Sequence, residues 1–232
     1  MSRPQRRIEK RRASRRRAAP FACRLVVMAK LPVAGRVKTR LAGEAGTSAA
    51  IRFARHATAA LLQRLGGDPR WRTMLAVTPD AGVGSRAWPR GLPRIAQGSG
   101  DLGRRMQRLF DRLPPGPVVI IGTDIPEVRA ADIAGAFRGL GGHDAVLGPA
   151  TDGGYWLIGL RRRPRVPRAL SDVRWSTRHA LADTLANLAG RSIARTATLS
   201  DVDTAQDLAR AALHLGRRCP PPPVPQTQRA NK

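Results

Sequence analysis

Several residue types that define common protein classes are scarce in this chain. Only two of its 232 residues are cysteines, and Cys23 and Cys219 lie far apart, so they indicate neither a disulfide framework nor a metal-binding motif. Aromatic residues make up 4%, so the core has to consist mainly of alanine, leucine, valine and isoleucine. The sequence lacks an apolar run of about 18 residues, which argues against a membrane span. We expect a cytoplasmic protein.

Acidic residues are also few, which leaves the chain strongly basic. The sequence has 42 lysines and arginines against 16 aspartates and glutamates, a formal net charge of +26 at pH 7. Such a field attracts phosphates, nucleic acid or anionic lipid. An arginine bias of this kind also arises from the nucleotide composition of a genome, so the charge alone does not select among these partners.

The ends of the chain differ in composition from its middle. Residues 1–20 contain eight arginines and Lys10 against the single Glu9, and the end from Arg217 combines basic residues with a run of prolines. We predict a basic disordered tail at 1–22, one domain at 23–216 and a proline-rich disordered tail at 217–232. The first tail could contact nucleic acid without sequence specificity.

Within the middle part, short apolar runs alternate with patterns of helical periodicity. This alternation predicts an α/β fold with a mainly parallel sheet and helices on both faces, in which ligands bind at the carboxyl ends of the strands. The predicted strands are 24–29, 73–78, 94–96, 117–122, 145–147 and 155–160. The predicted helices are 47–65, 101–113, 130–140, 176–188 and 204–215.

The first strand is followed by a loop rich in cations. Lys30, Arg36, Lys38 and Arg40 alternate with glycine and proline, a composition that suits a polyphosphate. The loop is not a P-loop, because Val37 stands where that motif requires glycine. A solvated basic loop is the alternative interpretation.

A second loop, Gln97 to Gly103, opens a predicted helix. Its glycines match the G-x-G-x-x-G pattern of dinucleotide-binding proteins, and Asp124 follows Gly103 by 21 residues, as a ribose-binding acid would. An NAD-binding Rossmann-type enzyme is therefore an alternative, although the strand before the loop is short and Pro93 precedes it. A flexible loop leading into a helix cap would also explain the pattern.

Acidic residues follow or precede predicted elements at three further places. Asp124 comes directly after the most apolar strand, where a carboxylate can coordinate Mg²⁺ together with phosphate oxygens and water. Asp203 precedes the last helix, and either residue could instead cap a helix or turn. The segment from Asp152 to Tyr155 suits an acceptor pocket or a hairpin turn, and Trp175 precedes a helix start predicted at Ser176.

Six motifs, in this order along residues 24–215, together resemble the bacterial rSAM/selenodomain-associated transferase family, which is usually described as glycosyltransferase-like with a GT-A fold. More distantly, the chain resembles the 2-phospholactate and molybdenum-cofactor guanylyltransferases. The motifs are Lys-x-Pro-x-x-Gly-x-Val-Lys-Thr-Arg-Leu at 30–41, Gln-Gly-x-Gly-Asp-Leu-Gly-x-Arg-Met at 97–106, Gly-Thr-Asp-x-Pro at 122–126, Gly-Pro-x-x-Asp-Gly-Gly-Tyr-Trp-Leu-Ile-Gly at 148–159, Arg-Trp-Ser-Thr at 174–177 and Asp-Val-Asp-Thr-x-x-Asp-Leu at 201–208.

The resemblance implies a single-domain, three-layer GT-A-like fold and a metal-dependent transferase that uses a nucleotide sugar or NTP as donor and a small molecule as acceptor. It implies Mg²⁺ or Mn²⁺ as the cofactor, held by Asp124 and Asp203, with Lys38, Asp124 and Asp152 as catalytic residues. The implied donor-binding residues are Lys30, Gly35, Lys38, Arg40, Gln97, Gly98, Gly100 and Asp101, and the implied acceptor-binding residues are Gly153, Gly154, Tyr155 and Trp175.

Two features leave the reaction open between two kinds of transfer. Glycosyltransferases of this fold usually carry Asp-x-Asp after the central strand, whereas Asp124 is the only acid there, which favours nucleotidyl transfer. The usual description of the family favours glycosyl transfer. A nonspecific nucleic-acid-binding protein, driven by its arginines, is the alternative outside the enzymes.

Overall fold

A computed structural model describes residues 21–163 and 165–215. The predicted tails lie outside the described residues, apart from positions 21 and 22, so the structure leaves both predictions as they stand. None of the helices in the described part is long and apolar enough to cross a membrane.

The described chain folds around one sheet of seven strands with the order β3-β2-β1-β4-β6-β5-β7. All neighbouring strands are parallel except β6, which is antiparallel to both β4 and β5. This arrangement confirms the predicted mainly parallel sheet. The strands are β1 (Arg24–Lys30), β2 (Arg72–Thr78), β3 (Arg94–Ala96), β4 (Val118–Ile121), β5 (Ala145–Pro149), β6 (Tyr155–Leu160) and β7 (Ile193–Arg195).

Helices cover both faces of the sheet, because successive side chains of the central strands point in opposite directions and both sets are apolar. Leu25 and Val27 pack on one face with α2 and α4, and Val26 packs on the other with α3. The fold therefore has the three layers that were predicted. The helices are α1 (Thr39–Ala45), α2 (Thr47–Leu65), α3 (Leu102–Arg112), α4 (Ala130–Gly142), α5 (Ala180–Asn187) and α6 (Ala205–Leu215).

A third, smaller apolar cluster joins the two ends of the domain. Leu41 of α1 and Phe53 of α2, both fully buried, pack with Val202 and with Leu208 of α6. Burial of one such side chain is worth about 1.5–3 kcal/mol. This cluster fixes the segment before α6 beside the loop that follows β1, although the two are far apart in sequence.

Three elements differ from the prediction. Helix α1 forms in a segment that was predicted as a loop, and β7 was not predicted. The helix predicted to start at Ser176 begins at Ala180 instead, because Ser176 has a φ of 59° and the hydroxyl of Thr177 accepts a hydrogen bond from the backbone N–H of His179 (3.2 Å).

Candidate active site

The loops after β1 and β4 meet at one edge of the sheet, which we call the carboxyl edge. Lys38 ends the loop after β1 as the N-terminal cap of α1, with φ 48° and ψ 51°. Such a left-handed conformation costs roughly 1 kcal/mol or more for a residue with a side chain. The buried neighbours Val37 and Leu41 hold the backbone in place on either side of it.

The ammonium group of Lys38 bridges two carboxylates from distant parts of the sequence. Its Nζ lies 2.8 Å from Asp203 Oδ1 and 3.1 Å from Asp124 Oδ2. The Lys38 side chain is 7% exposed, whereas those of Asp124 and Asp203 are 55% and 36% exposed. Both carboxylates therefore face a common point and remain accessible to a ligand.

Asp203 is held in place by contacts that leave its carboxylate free of a capping role. The backbone N–H of Val202 donates to Asp124 O (3.1 Å), which brings the two aspartate segments side by side. Thr204 caps α6 instead: its Oγ1 accepts from the N–H of Asp207 (3.1 Å), and Asp207 Oδ2 accepts from the N–H groups of Asp203 and Thr204. The Asp203 carboxylate thus points to Lys38.

The pKa values at this site reflect its crowded charges. Burial alone would lower the pKa of Lys38, but the carboxylates of Asp124 and Asp203 outweigh it and raise that pKa. Burial opposes ionisation of Asp203, yet the hydrogen bond from Lys38 keeps the pKa of Asp203 below its usual value. Burial raises the pKa of Asp201 to about 6, and the charges of Asp203 and Asp152 act in the same direction.

The donor atoms at the site fit a divalent cation. Asp124 and Asp203 supply hard oxygen ligands, the ammonium of Lys38 lies between them where a cation is favoured, and Asp152 and Asp201 add further negative charge. In the part of the chain that the structure describes, no three histidine, cysteine, aspartate or glutamate side chains form a ready-made metal cluster. Two carboxylates are, however, the usual protein share of a Mg²⁺ site that also uses phosphate oxygens and water.

Replacing Asp201 with asparagine is expected to stabilise the protein above about pH 6 and to change little near pH 4. Folding raises the pKa of this carboxyl from 3.8 to about 6, so its favourable contribution is present at low pH and is lost as the pH rises through 6. An amide keeps the hydrogen bond to Asp203 without needing a proton.

For this half-buried group, the expected gain in the free energy of unfolding is on the order of 1 kcal/mol near pH 8 after allowance for solvent screening. Urea denaturation with EDTA, near pH 4 and near pH 8, measures it. An equal gain at both pH values would contradict the raised pKa.

The loop from Gln97 to Gly103 is fixed by the side chain of Gln97 and by two arginines of α3, Arg105 and Arg108, to which the sequence assigned no role. Gln97 is 2% exposed, and its amide donates to Ala29 O (3.3 Å) and Ala76 O (2.8 Å), so this side chain joins the ends of β1 and β2. Arg105 donates to Gln97 Oε1 (2.8 Å), and the guanidinium of Arg108 donates to the carbonyls of Gln97 and Ser99. Because this side chain is engaged, Gln97 would contact a nucleotide donor through its backbone.

The glycines of this loop have conformations and contacts that exclude larger residues. Gly98 has a φ of 77°, the Arg108 guanidinium lies where its Cβ would be, and its N–H donates to Asp80 Oδ1 (3.0 Å). Gly100 has a φ of 103°. Asp101 caps α3 by accepting a hydrogen bond from the N–H of Arg104 (2.7 Å). The loop therefore does lead into a helix cap, as one interpretation of its sequence predicted. The sequence feature that could have indicated these contacts is the spacing of Arg105 and Arg108, which lie one turn apart on the helix that follows the loop.

The dinucleotide interpretation fits the topology poorly. In the Rossmann fold, the glycine-rich loop follows a central strand. Here it follows β3, a strand of three residues at the edge of the sheet that pairs with β2.

Three of the predicted acceptor residues, Gly153, Gly154 and Tyr155, lie at the hairpin between β5 and β6, beside the other site loops. The N–H of Gly154 donates to Asp152 Oδ1 (2.8 Å), and Gly153 has a φ of 87° and lies against the backbone of Arg178. Because β6 is antiparallel to β4, this hairpin is at the carboxyl edge, so the turn and acceptor interpretations are compatible.

Trp175 connects the hairpin to the glycine-rich loop. Its ring makes an edge contact with Tyr155, with centroids 6.2 Å apart, and it lies so close to Gly103 that a Cβ there would be 2.8 Å from the ring. Burial raises the pKa of the Tyr155 hydroxyl, which is 3.4 Å from Thr184 Oγ1.

The remaining predicted residues lie in the loop after β1 or at its end. Lys30, Gly35 and Arg40 are all exposed, and Gly35 has a φ of 71°. Arg40 Nη1 lies 3.5 Å from Asp203 Oδ2, but the arginine side chain is 79% exposed. The structure thus brings Lys38, Arg40, Asp124 and Asp203 into contact, and it places Lys30 at the end of β1 and Gly35 in the loop that follows.

Solved structures share this architecture. A candidate nucleotide-diphospho-sugar transferase from Desulfovibrio desulfuricans G20 is 29% identical, with a TM-score of 0.72 and coverage of 83% of this chain and 86% of that chain. Rv0371C of Mycobacterium tuberculosis H37Rv, solved as a complex with manganese, is 19% identical with a TM-score of 0.51 and coverage of 83% and 98%. CMP:2-keto-3-deoxy-manno-octonic acid synthetase complexed with CTP is 13% identical, with a TM-score of 0.51 and coverage of 83% and 97%. The likeness to the last two shows the fold alone.

The comparisons confirm the predicted nucleotide-diphospho-sugar transferase fold. Among curated proteins, none matches the sequence of this chain. A family model matches residues 61–177, which include the glycine-rich loop, Asp124 and the hairpin between β5 and β6. The chain belongs to the family described as "Uncharacterized protein conserved in bacteria (DUF2064)".

Proposed function

We propose that this protein is a transferase that depends on a divalent metal, Mg²⁺ or Mn²⁺, and moves a group from a nucleotide-activated donor to a small-molecule acceptor. The observation that carries the proposal is the position of Lys38 between Asp124 and Asp203 at the carboxyl edge. One buried ammonium and several carboxylates in the loops at the carboxyl edge of the sheet suit a phosphate group and the cation that accompanies it.

Each group of residues has a distinct role in this proposal. Lys38 and Arg40 bind the donor phosphates, assisted by Lys30 at the end of β1 and by Gly35 in the loop that follows, while Asp124 and Asp203 hold the cation. The backbone at Gln97, Gly98 and Gly100 contacts the base, and Asp101 fixes the end of that loop. When bound, the cation neutralises charge on the phosphate oxygens.

The hairpin side of the site takes the acceptor. Gly153 and Gly154 let its backbone approach closely, Tyr155 and Trp175 supply an apolar wall, and Asp152 accepts the proton of the attacking hydroxyl. Positioning and charge neutralisation can supply most of the rate enhancement in such a reaction, which agrees with a site built from cations and carboxylates.

We favour nucleotidyl over glycosyl transfer. The two carboxylates that face Lys38 come from different segments, one after β4 and one before α6, rather than from an Asp-x-Asp motif after β4. In nucleotidyl transfer, the acceptor oxygen bonds to the α-phosphorus of an NTP as pyrophosphate leaves. In glycosyl transfer, it bonds to the anomeric carbon of a nucleotide sugar as the nucleoside diphosphate leaves.

Thermal unfolding with a panel of NTPs, nucleotide sugars and NAD, each with and without Mg²⁺ or Mn²⁺, tests the proposal. An NTP at about 100 times its Kd is expected to raise stability by about 2.7 kcal/mol, which is a Tm shift of roughly 5–10 °C for a domain of this size. The shift should require the metal.

The other ligands in the panel separate the alternatives. Nucleotide sugars that shift Tm when NTPs do not would favour glycosyl transfer. NAD that shifts Tm without metal would favour the dinucleotide interpretation, and a panel without any metal-dependent shift would reject the proposed function.

A further inference from the structure

The edge of the sheet opposite the carboxyl edge is lined by arginines. At this amino edge, β1 and β2 begin at paired residues, Arg24 and Arg72, and the antiparallel β6 ends opposite the start of β4. The segment after β6 therefore lies beside the beginning of β1. We call the arginines at this edge the basic edge: Arg24, Arg70, Arg72, Arg161, Arg162, Arg163 and Arg191.

The charges of the basic edge are close enough to act on one another. Burial and the charge of Arg72 lower the pKa of Arg24, and burial and the charge of Arg24 lower that of Arg162. At the far end, Arg161 and Arg191 both act on Asp144, and Arg161 lies 3.3 Å from it. The arginines thus form a continuous row from β2 to β7.

The carboxylates beside this row do not neutralise it. Asp68 lies 2.6 Å from Arg70, and Asp144 is engaged by Arg161 and by Ser192. The aspartates that the site uses, among them Asp124 and Asp203, are at the opposite edge of the sheet. The fold therefore separates charge, with carboxylates concentrated at one edge and a surplus of guanidinium groups at the other.

The members of the row divide into three groups. Arg70 and Arg161 are paired with Asp68 and Asp144. Arg24 and Arg162 are structural, because their guanidinium groups donate to carbonyls in the turn between α3 and β4, among them those of Pro114 and Gly116. Arg72, Arg163 and Arg191 are exposed and available for a ligand.

One exposed aromatic ring lies within the row. Phe21 is 48% exposed, and the guanidinium of Arg163 lies 3.3 Å from its ring centroid. Such an arginine and aromatic pair offers a flat surface on which a nucleobase can stack.

We propose that the basic edge binds the phosphate backbone of single-stranded nucleic acid. With strands about 4.8 Å apart, the five spacings from β2 to β7 span about 24 Å, which is long enough to contact several successive phosphates of one strand. Guanidinium groups bind phosphate in a bidentate manner, and the Phe21 ring stacked on Arg163 offers a flat face for a base. The chain also enters the fold at this edge, directly after a segment with eight arginines.

The test compares two full-length triple variants that each lose three exposed arginines. R72Q/R163Q/R191Q removes charge from the basic edge, whereas R52Q/R55Q/R86Q removes the same charge from α2 and from the loop after β2. Fluorescence anisotropy measures binding to labelled RNA and DNA strands of about 20 nucleotides as the salt concentration is varied.

The basic-edge variant is expected to bind at least about tenfold more weakly than the native chain near 0.1 M salt, and its slope of log K against log salt should fall by about 2. The control variant should stay within about twofold of the native chain, and both should keep the native Tm within a few degrees. Equal losses in both variants would show a response to net charge alone and overturn the proposal.

Two further arms identify the ligand. Comparable losses for RNA and DNA mean that the backbone is recognised, and a loss confined to one of them narrows the partner to that polymer. Vesicles with anionic lipid that bind more tightly than either strand, and lose binding in the basic-edge variant, would overturn the proposal in favour of a membrane. Binding that persists when Mg²⁺ and nucleotide are absent separates this surface from the proposed active site.

Discussion

Replacement of Lys38 by methionine is expected to lower nucleotide-dependent transfer by about 10²–10³-fold and, at the same time, to strengthen the binding of free Mn²⁺ or Mg²⁺. The first effect follows because a buried cation that faces the phosphates is lost. The second follows because the ammonium of Lys38 already lies within 3.1 Å of both carboxylates and competes with a metal ion for them. Methionine keeps the length and flexibility of the lysine stem.

Isothermal titration with Mn²⁺, with and without an NTP, measures the second effect. In the native protein, metal should bind weakly alone and more tightly with nucleotide, because phosphate oxygens draw the Lys38 ammonium away from Asp124 and Asp203. In the Lys38→Met variant, metal alone should bind at least about tenfold more tightly than in the native protein. Arg55→Met, which removes one exposed charge on α2, is the matched control.

Weaker metal binding in the Lys38→Met variant than in the native protein would contradict this account. It would mean that the lysine organises the two carboxylates rather than competing for them. The same variant should also lose stability near pH 8, where the carboxylates repel one another, and regain it when metal is added.

Much of the fold could be predicted because its strands are strongly apolar and its turns are rich in glycine. The buried run of β4 and the alternation of strands with long helices led to the correct class of sheet. Helix α1 could not be predicted, since it is short and depends on packing of Leu41 against Phe53 and Val202. Strand β7 has three residues and exists through its pairing with β5.

The candidate site was predictable to the extent that strand ends determine it. The rule that ligands bind at the carboxyl ends of strands indicated Asp124. Asp203 was indicated only by the family resemblance, because the sequence left open whether Asp203 or Thr204 caps the last helix, and the structure assigns the cap to Thr204. The burial of Gln97 was not predictable, because it depends on carbonyl groups of β1 and β2. The basic edge could not be predicted either, because only the antiparallel direction of β6 brings Arg162 beside Arg24.

Replacement of Asp124 by asparagine is expected to remove the metal-dependent part of nucleotide binding and to lower transfer by about 10²–10³-fold. The substitution keeps the shape of the side chain but removes the charge that a divalent cation needs. Because the Asp124 side chain is 55% exposed, the loss of its ion pair with Lys38 should cost less than about 1 kcal/mol of stability. Asp172→Asn, an exposed carboxylate outside the proposed site, controls for charge.

The measurement is the metal-dependent Tm shift with nucleotide, followed by steady-state transfer once a donor is known. Retention of the full shift in the Asp124→Asn variant would reject the assigned metal site while leaving the fold assignment intact. A double variant, D124N/D203N, adds a sharper criterion. If both carboxylates hold one ion, removal of either already loses it, so the double variant should be little worse than the more impaired single one. Losses that multiply would show that the two aspartates act separately.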